Sequence, residues 1–508
     1  MLARMTSSAP GAAPTTTVPS GALVWPLALA QFIASYAATN MNVAISEIAD
    51  DLGTTVIGMQ TAITLFTLTM ASLMIPGSKL SDILGRKACF IGGLLVYGVG
   101  ALIAAFAPNL TVMIIGYSLL EGIGSALMIP PIYILVTVWF PDLKTRAKYF
   151  GLVSGAGGLG AAAGPLIGGV ITTTISWRAS FLLQVLVVAA IILMARKIVD
   201  PGREGAKPRF DVGGAVLSAV GLFFVVLGIL QSGTYGWTGA REDVTIGGTV
   251  IIPQGGISPV WILMAIGALF LLWFFLHIRR VERAGKEPLL HLRMFASRTA
   301  NLGLGTQTIQ WLVVQGSFFV VSVFLQQIRG FNAIETGLML TPTTAGILLS
   351  SLAAERLAKR RPQRTLVIAG FASATIGMAL LVLLGRDDAS VWAFLPGLLL
   401  MGLGVGTMLT SSVNIVQSSF SDADQGEISG LSRSVSNLGS SLGTALAGSV
   451  LVAAAVPGGA AFAVALGVLA VFSLIGLVLA VLIPRAPKGV VPGVDAPRTD
   501  APKSNAPK

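Results

Sequence analysis

Apolar runs of about eighteen to twenty-five residues recur along nearly the whole 508-residue chain, each long enough to span about 30 Å of hydrocarbon. Nothing else in the sequence limits the fold as strongly. In lipid every backbone N–H and C=O must find its partner within the protein, which leaves an α-helical bundle or a closed β-barrel. Barrel strands alternate apolar and polar positions over about ten residues, whereas ALVWPLALAQFIASYAATNM and AAFAVALGVLAVFSLIGLVLAVLI are apolar on all sides. The expectation is an all-α polytopic membrane protein. Its 11% of charged residues, against about a quarter in soluble domains, agrees.

Candidate spans fall at 22–48, 57–77, 88–107, 111–136, 148–172, 179–195, 212–231, 259–277, 300–325, 336–354, 365–384, 391–415, 428–455 and 460–483, fourteen in all. With the amino terminus inside, the inside segments hold 28 of the 33 Lys and Arg, the outside loops hold only Arg178, Arg241, Arg329 and Arg386, and Arg433 falls within a span. That asymmetry puts both termini in the cytoplasm and the protein in the cell membrane. The net charge of +11 then reflects topology and contact with anionic lipid heads, not nucleic-acid binding.

The longest connections bracket the seventh and eighth spans, and an offset of about 278 residues brings Arg86 onto Arg364 and Gly160/Gly164 close to Gly439/Gly443. This predicts two six-helix bundles, 22–195 and 300–483, around a linker, 196–299, that carries two extra spans. Residues 1–21 and 484–508, rich in Ala, Ser, Thr, Pro and Lys, read as soluble cytoplasmic tails. The lone Cys89 excludes an internal disulfide, and His277 with His291 are too few for a metal site. No cofactor is implied, and one chain holding both bundles suffices as a monomer.

Between the second and third spans lies GSKLSDILGRK, residues 77–87. Gly85 allows a tight turn, and Asp82 with Arg86 and Lys87 can bridge helix ends differently in two conformations; the alternative is an ordinary charged loop. Here the chain resembles the major facilitator superfamily, whose signature in this loop is matched by Asp82, Gly85, Arg86 and Lys87. Ser78 and Ile83 depart from it, and the counterpart ERLAKRRPQR in the second half is degenerate. The resemblance implies the major facilitator fold and a gating role for this loop.

In the fifth span, GAAAGPLIGG supplies Gly160, Gly164, Pro165, Gly168 and Gly169, a full match to the motif that marks antiporters in that superfamily. Small residues at fourfold spacing let helices approach closely, and Pro165 removes a backbone hydrogen bond. A hinge-like contact closing one side of a cavity and plain small-residue packing are the two readings. SWRASFLLQV, EPLLHLRMFASR, GFNAIETGLMLTP, PGLLLMGLGVGTM and QGEISGLSRSVSNLGSSLGTA, in that order, are similar to the fourteen-helix drug:proton antiporter branch.

Two departures bear on mechanism. That branch usually carries an acid in the first span and an arginine in the fourth; here Ala37 and Ser118 stand in those places. Glu121 is then the acid placed deep in a span. Burial disfavours its charged form, as a proton carrier requires, although a protonated packing residue is the other possibility. Arg433 is its natural opposite charge unless it snorkels to the surface. In the resembled family the first, fourth, ninth and twelfth spans line the central cavity, so Gln31, Tyr36, Asn40, Tyr117, Ser118, Trp311 and Gln315 are cavity candidates together with Arg433, while helix–helix hydrogen bonding explains any one equally well.

A sparse, mostly apolar cavity suits amphiphilic organic cargo. The leading expectation is therefore a proton-coupled exporter of small drug-like molecules. A lipid or fatty-acid exporter, not necessarily proton-driven, is the competitor on the same scaffold, and a non-transporting receptor or scaffold is a third class. No GxxxxGK[ST] loop suggests ATP use, and no acid pair, metal ligand set or nucleophile with a base suggests an enzyme.

Overall fold

The computed structural model describes residues 21–140, 142–198, 209–246, 249–358, 360–385, 390–420, 424–453 and 459–485. The chain runs α1 (Trp25–Asn40), α2 (Ile45–Asp51), α3 (Val56–Leu84), α4 (Arg86–Ala105) and α5 (Leu110–Met113), which continues through a π-helical stretch, Ile114–Glu121, into α6 (Gly122–Trp139). Next come α7 (Leu143–Thr174), α8 (Trp177–Ala195), α9 (Val212–Tyr235), a hairpin of β1 (Val244–Ile246) and β2 (Thr249–Ile252), and α10 (Pro259–Arg283). The rest is α11 (Arg298–Val323) with a π-helical end, Phe324–Ile328, then α12 (Ala333–Ala358), α13 (Gln363–Leu384), α14 (Leu395–Gln417), α15 (Gln425–Ala453) and α16 (Gly459–Leu482).

Among the described residues twelve helices are long and apolar enough to cross a membrane. The sixteen-residue α1 and the helix α12 fall outside that set. The expected first span, 22–48, is broken after Asn40: Asn42 and Val43 donate their backbone N–H to the carbonyls of Thr39 and Asn40, 3.3 Å each, and α2 starts afresh. Asn residues offer the backbone such local alternatives, so continuous hydropathy does not ensure a continuous helix. The hairpin was likewise outside the span reading, although VTIGGTVII carries its signal, β-branched runs on either side of two glycines. The expected tails and residues 199–208 lie outside the described residues.

Two halves are related by repeated contacts. In the first, α1 lies on α7; in the second, α11 lies on α15. A Cβ on Gly160 would sit 2.1 Å from the Phe32 carbonyl, and one on Gly439, its counterpart by the sequence offset, would sit 2.2 Å from that of Thr308, so these two glycines do the same work in both halves. The halves meet along two seams, α7 with α12 and α3 with α15. The inserted α9 packs on α10, α15 and α3, against the second seam, where Ser449 Oγ donates to the Ile229 carbonyl at 2.9 Å.

The bundle has two ends. One carries α2, where Asp51 accepts from the Trp177 indole at 3.1 Å and pairs with Arg178. The other carries the Gly85 turn between α3 and α4, where Lys87 Nζ donates to the Arg196 carbonyl at 3.1 Å.

Candidate functional site

Glu121 closes the π-helical stretch, whose wider turn shifts the side chains that follow, a feature common at functional sites. It is fully buried, with no charged partner among the described residues. Tyr97 of α4 lies against it, with its hydroxyl donating to Gln184 Oε1 of α8. A Cβ on Gly100 would stand 2.7 Å from the Glu121 backbone nitrogen, so that glycine is what lets α4 come this close.

The two departures from the branch pattern lie near each other. The Tyr117 hydroxyl donates to the Ala37 carbonyl at 3.4 Å, and the neighbouring Ser118 donates to the Ala62 carbonyl at 2.7 Å. Ala37 thus meets the residue next to Ser118, and both positions are uncharged here.

Among the cavity candidates, several are engaged inside the first half. The Tyr36 hydroxyl and Ser180 Oγ are 2.6 Å apart, and Asn40 Nδ2 donates to the same oxygen at 2.9 Å. Tyr117 stacks on Phe66 with ring centroids 4.7 Å apart. Others reach between the halves. Gln315 of α11 donates to the Ala38 carbonyl of α1 at 3.3 Å, and Trp311 is half-buried one turn earlier. Arg433 of α15 donates to the Tyr133 hydroxyl of α6 with its guanidinium 4.9 Å from the ring, and Tyr133 donates on to Gln31 Oε1 of α1 at 3.3 Å. Arg433 therefore meets Tyr133, not Glu121. Those two residues are twelve positions apart along one helical run, about 18 Å by helical rise, because Tyr133 sits near the Gly85 end and Glu121 deep between α4 and α8.

The five motif residues of α7 divide between two faces. Gly160, Gly164 and Gly168 lie on α1, against Phe32, Thr39 and Asn40. Pro165 and Gly169 lie across the seam: a Cβ on Gly169 would be 2.5 Å from the Ala333 carbonyl, and one on Gly337 would be 2.4 Å from that of Pro165. Thr173 Oγ1 accepts from the Ile334 backbone N–H at 3.1 Å, further toward the α2 end. Helical spacing puts Gly151, Gly155 and Gly158 on the same stripe as Pro165 and Gly169, and a Cβ on any of those three would meet only open space. The α7/α12 seam is in contact toward the α2 end, and the same stripe of α7 borders open space toward the Gly85 end.

More contacts hold the α2 end together. Gln326 Nε2 donates to the Asn42 carbonyl at 2.9 Å and Gln327 Nε2 to Ser46 Oγ at 2.8 Å. The second seam is joined along its length, from Gln60 donating to the Thr444 carbonyl at 3.1 Å, through Ser434 donating to the Ala71 carbonyl, to Ser78 beside Gly430. At the Gly85 turn the backbone has φ of +101°, which favours glycine, and its N–H donates to the Ser81 carbonyl at 3.2 Å. Asp82, Arg86 and Lys87 flank that turn.

Sequence reasoning did not find the partners of the two histidines. His277 pairs with Asp211 at 2.8 Å and His291 with Glu427 at 2.9 Å, ionic if protonated, and Arg293 pairs with Asp424 at 2.7 Å. Among the described residues no cluster of three His, Cys, Asp or Glu could hold a metal ion.

Repeated halves joined by seams, with polar side chains reaching between them inside an otherwise apolar bundle, define a membrane transporter. A family model described as the Major Facilitator Superfamily matches residues 27–240, 244–444 and 307–506, and the chain belongs to that superfamily. It is a multi-pass membrane protein. The puromycin resistance protein of Streptomyces alboniger is 28% identical, covering 83% of this chain and 80% of its own length. The cephamycin export protein CmcT of Amycolatopsis lactamdurans is 28% identical over 82% of both chains. The multidrug resistance protein Stp of Mycobacterium tuberculosis is 25% identical, covering 81% of this chain and 72% of its own.

Proposed function

We propose that the chain exports small amphiphilic or drug-like organic molecules by proton antiport, its halves rocking between a state open at the Gly85 end and one open at the α2 end. The observation that carries this is the one-ended α7 stripe, packed on α12 at Pro165 and Gly169 and bordering open space at Gly151, Gly155 and Gly158. With the basic loops in the cytoplasm, the open stretch of α7 lies on the inner side, where the α3/α15 seam stays joined. On this reading α1 and α12 cross the membrane as well, making fourteen spans. A helix enclosed by its neighbours needs less apolar surface than one facing lipid, and α1 exposes only Trp25. The names of the relatives, which concern puromycin, cephamycin and multiple drugs, support a drug-like cargo.

Glu121 is the proposed proton carrier. An enclosed carboxyl beside Tyr97, with no opposite charge against it among the described residues, is suited to carry a proton. Rocking that opens the π-helical stretch would release it. The test is counterflow of 1-pyrenebutanol and related pyrene amphiphiles in proteoliposomes carrying the full chain. An imposed pH gradient should drive it, and Glu121→Gln should remove the drive while leaving probe binding. Undiminished drive in that variant would end the assignment of Glu121, and no pH-driven movement by the unaltered chain would end the antiport reading.

A further inference from the structure

We propose that Arg433 anchors an anionic group on the transported molecule, so that the cargo class is an acidic amphiphile, a carboxylate or sulfonate on an apolar body; this rests on the exporter reading above. A guanidinium keeps its charge in a protein and offers five N–H donors in a planar fork. Arg433 lies eight residues into α15, about 12 Å from the start of that helix. It is half-buried, and among the described residues its one side-chain acceptor is the Tyr133 hydroxyl, whose ring lies 4.9 Å from the guanidinium. The ion pairs among the described residues join other groups, and none involves Arg433. Glu121, the acid enclosed in the first half, is about three helical turns from Tyr133.

A cation kept at this depth without a counter-charge is expensive, and intramembrane charges of that kind mark substrate paths. An anion that takes the free N–H groups supplies the missing charge in a bidentate pair. The surroundings suit the remainder of such a molecule: Phe150 stacks on Tyr133 with centroids 5.7 Å apart, and Asn437, half-buried, follows Arg433 by one turn on the same face of α15.

The site also draws on both halves. Tyr133 accepts from Arg433 and donates to Gln31, which donates through Nε2 to Ser35 Oγ at 3.3 Å, so a polar thread runs from α15 through α6 to α1. An anion on Arg433 competes with the Tyr133 hydroxyl for the same guanidinium. Occupancy thereby loosens a tie between the halves, which links recognition to rocking.

The test uses the full chain in lipid vesicles with three probes that share one apolar body: 1-pyrenebutyrate, 1-pyrenebutanol and 1-pyrenemethylammonium. The unaltered chain is expected to bind and move the butyrate at least tenfold better than the other two. R433Q should lose about tenfold or more for the butyrate and little for the alcohol, whose binding reports that the variant is folded. R433K should keep part of the preference, because charge selects the ligand. Equal affinity for all three probes in the unaltered chain, or an unchanged butyrate affinity in R433Q, would overturn the assignment. If R433Q loses all three probes, R433K decides: a preference kept by the ammonium supports the site, and its absence overturns it. The exporter reading fails separately, when none of the probes is transported by the unaltered chain.

Discussion

Gly443 shows how little freedom one position has in this bundle. A Cβ there would lie 2.2 Å from the Leu312 carbonyl, an atom of the α11 backbone that cannot turn aside. Gly443→Val should therefore force α15 off α11 and cost about 1–3 kcal/mol, as overpacked interiors do. The check is a lower thermal unfolding midpoint in detergent, with Gly467→Ala, where an added Cβ meets nothing, as the neutral control. The sequence offset pairs Gly443 with Gly164, because small-residue spacing is a local property of one helix and is legible there. It did not identify the partners of Arg433 or the neighbours of Glu121. Those depend on how α4, α6, α8 and α15 are rotated about their axes, and apolar helices carry almost no amphipathic signal from which to read that rotation.

At the scale of an element, α7 does two tasks with one motif. Its α1 face is a permanent contact within the first half, and its α12 face is a seam. Gly169→Val should wedge Ala333 away and part the seam at the α2 end. Spin labels on α2 and at the start of α12, in a Cys89→Ala background, should then report a longer distance than in the unaltered chain. An unchanged distance would mean that this contact does not set the closure.

The short α2 adds a titratable group to the same closure. Burial raises the Glu47 carboxyl above its ordinary value, opposed in part by a hydrogen bond from the Ala333 backbone. The packed arrangement thus binds a proton more tightly than an exposed carboxyl does. It is favoured below the ordinary carboxyl range, and that contribution fades as pH rises through the interval between the ordinary and the raised value. The same label pair should read shorter at about pH 4 than at about pH 7, and Glu47→Gln should flatten the dependence. A distance that shortens as pH rises would contradict the sign.

Across the whole molecule, the inserted pair ties the Gly85 end to the second half. Asp211 caps α9 by accepting from the Gly214 N–H at 2.9 Å and holds His277 of α10, while the segment leading into α11 is docked on α15 through His291 with Glu427 and Arg293 with Asp424. Glu427→Gln should weaken that docking, and the expected readout is faster tryptic cleavage at Arg293, which is 63% exposed even when paired. Equal cleavage rates would assign the docking to the apolar contacts of Leu289, Leu290 and Met294 instead.

The sequence by itself determined that this chain is a helical membrane bundle and where its glycine motifs fall. Each of those follows from what a segment of about twenty residues does by itself in hydrocarbon, whatever its neighbours. Only the tertiary structure decided that the first span stops at Asn40, that the α7 motif splits between α1 and α12, that Glu121 is enclosed beside Tyr97, and that Arg433 meets Tyr133. Lipid tails are as apolar as leucine, so the pairing of helices rests on close packing and on a few hydrogen bonds between residues up to hundreds of positions apart, which no single segment encodes.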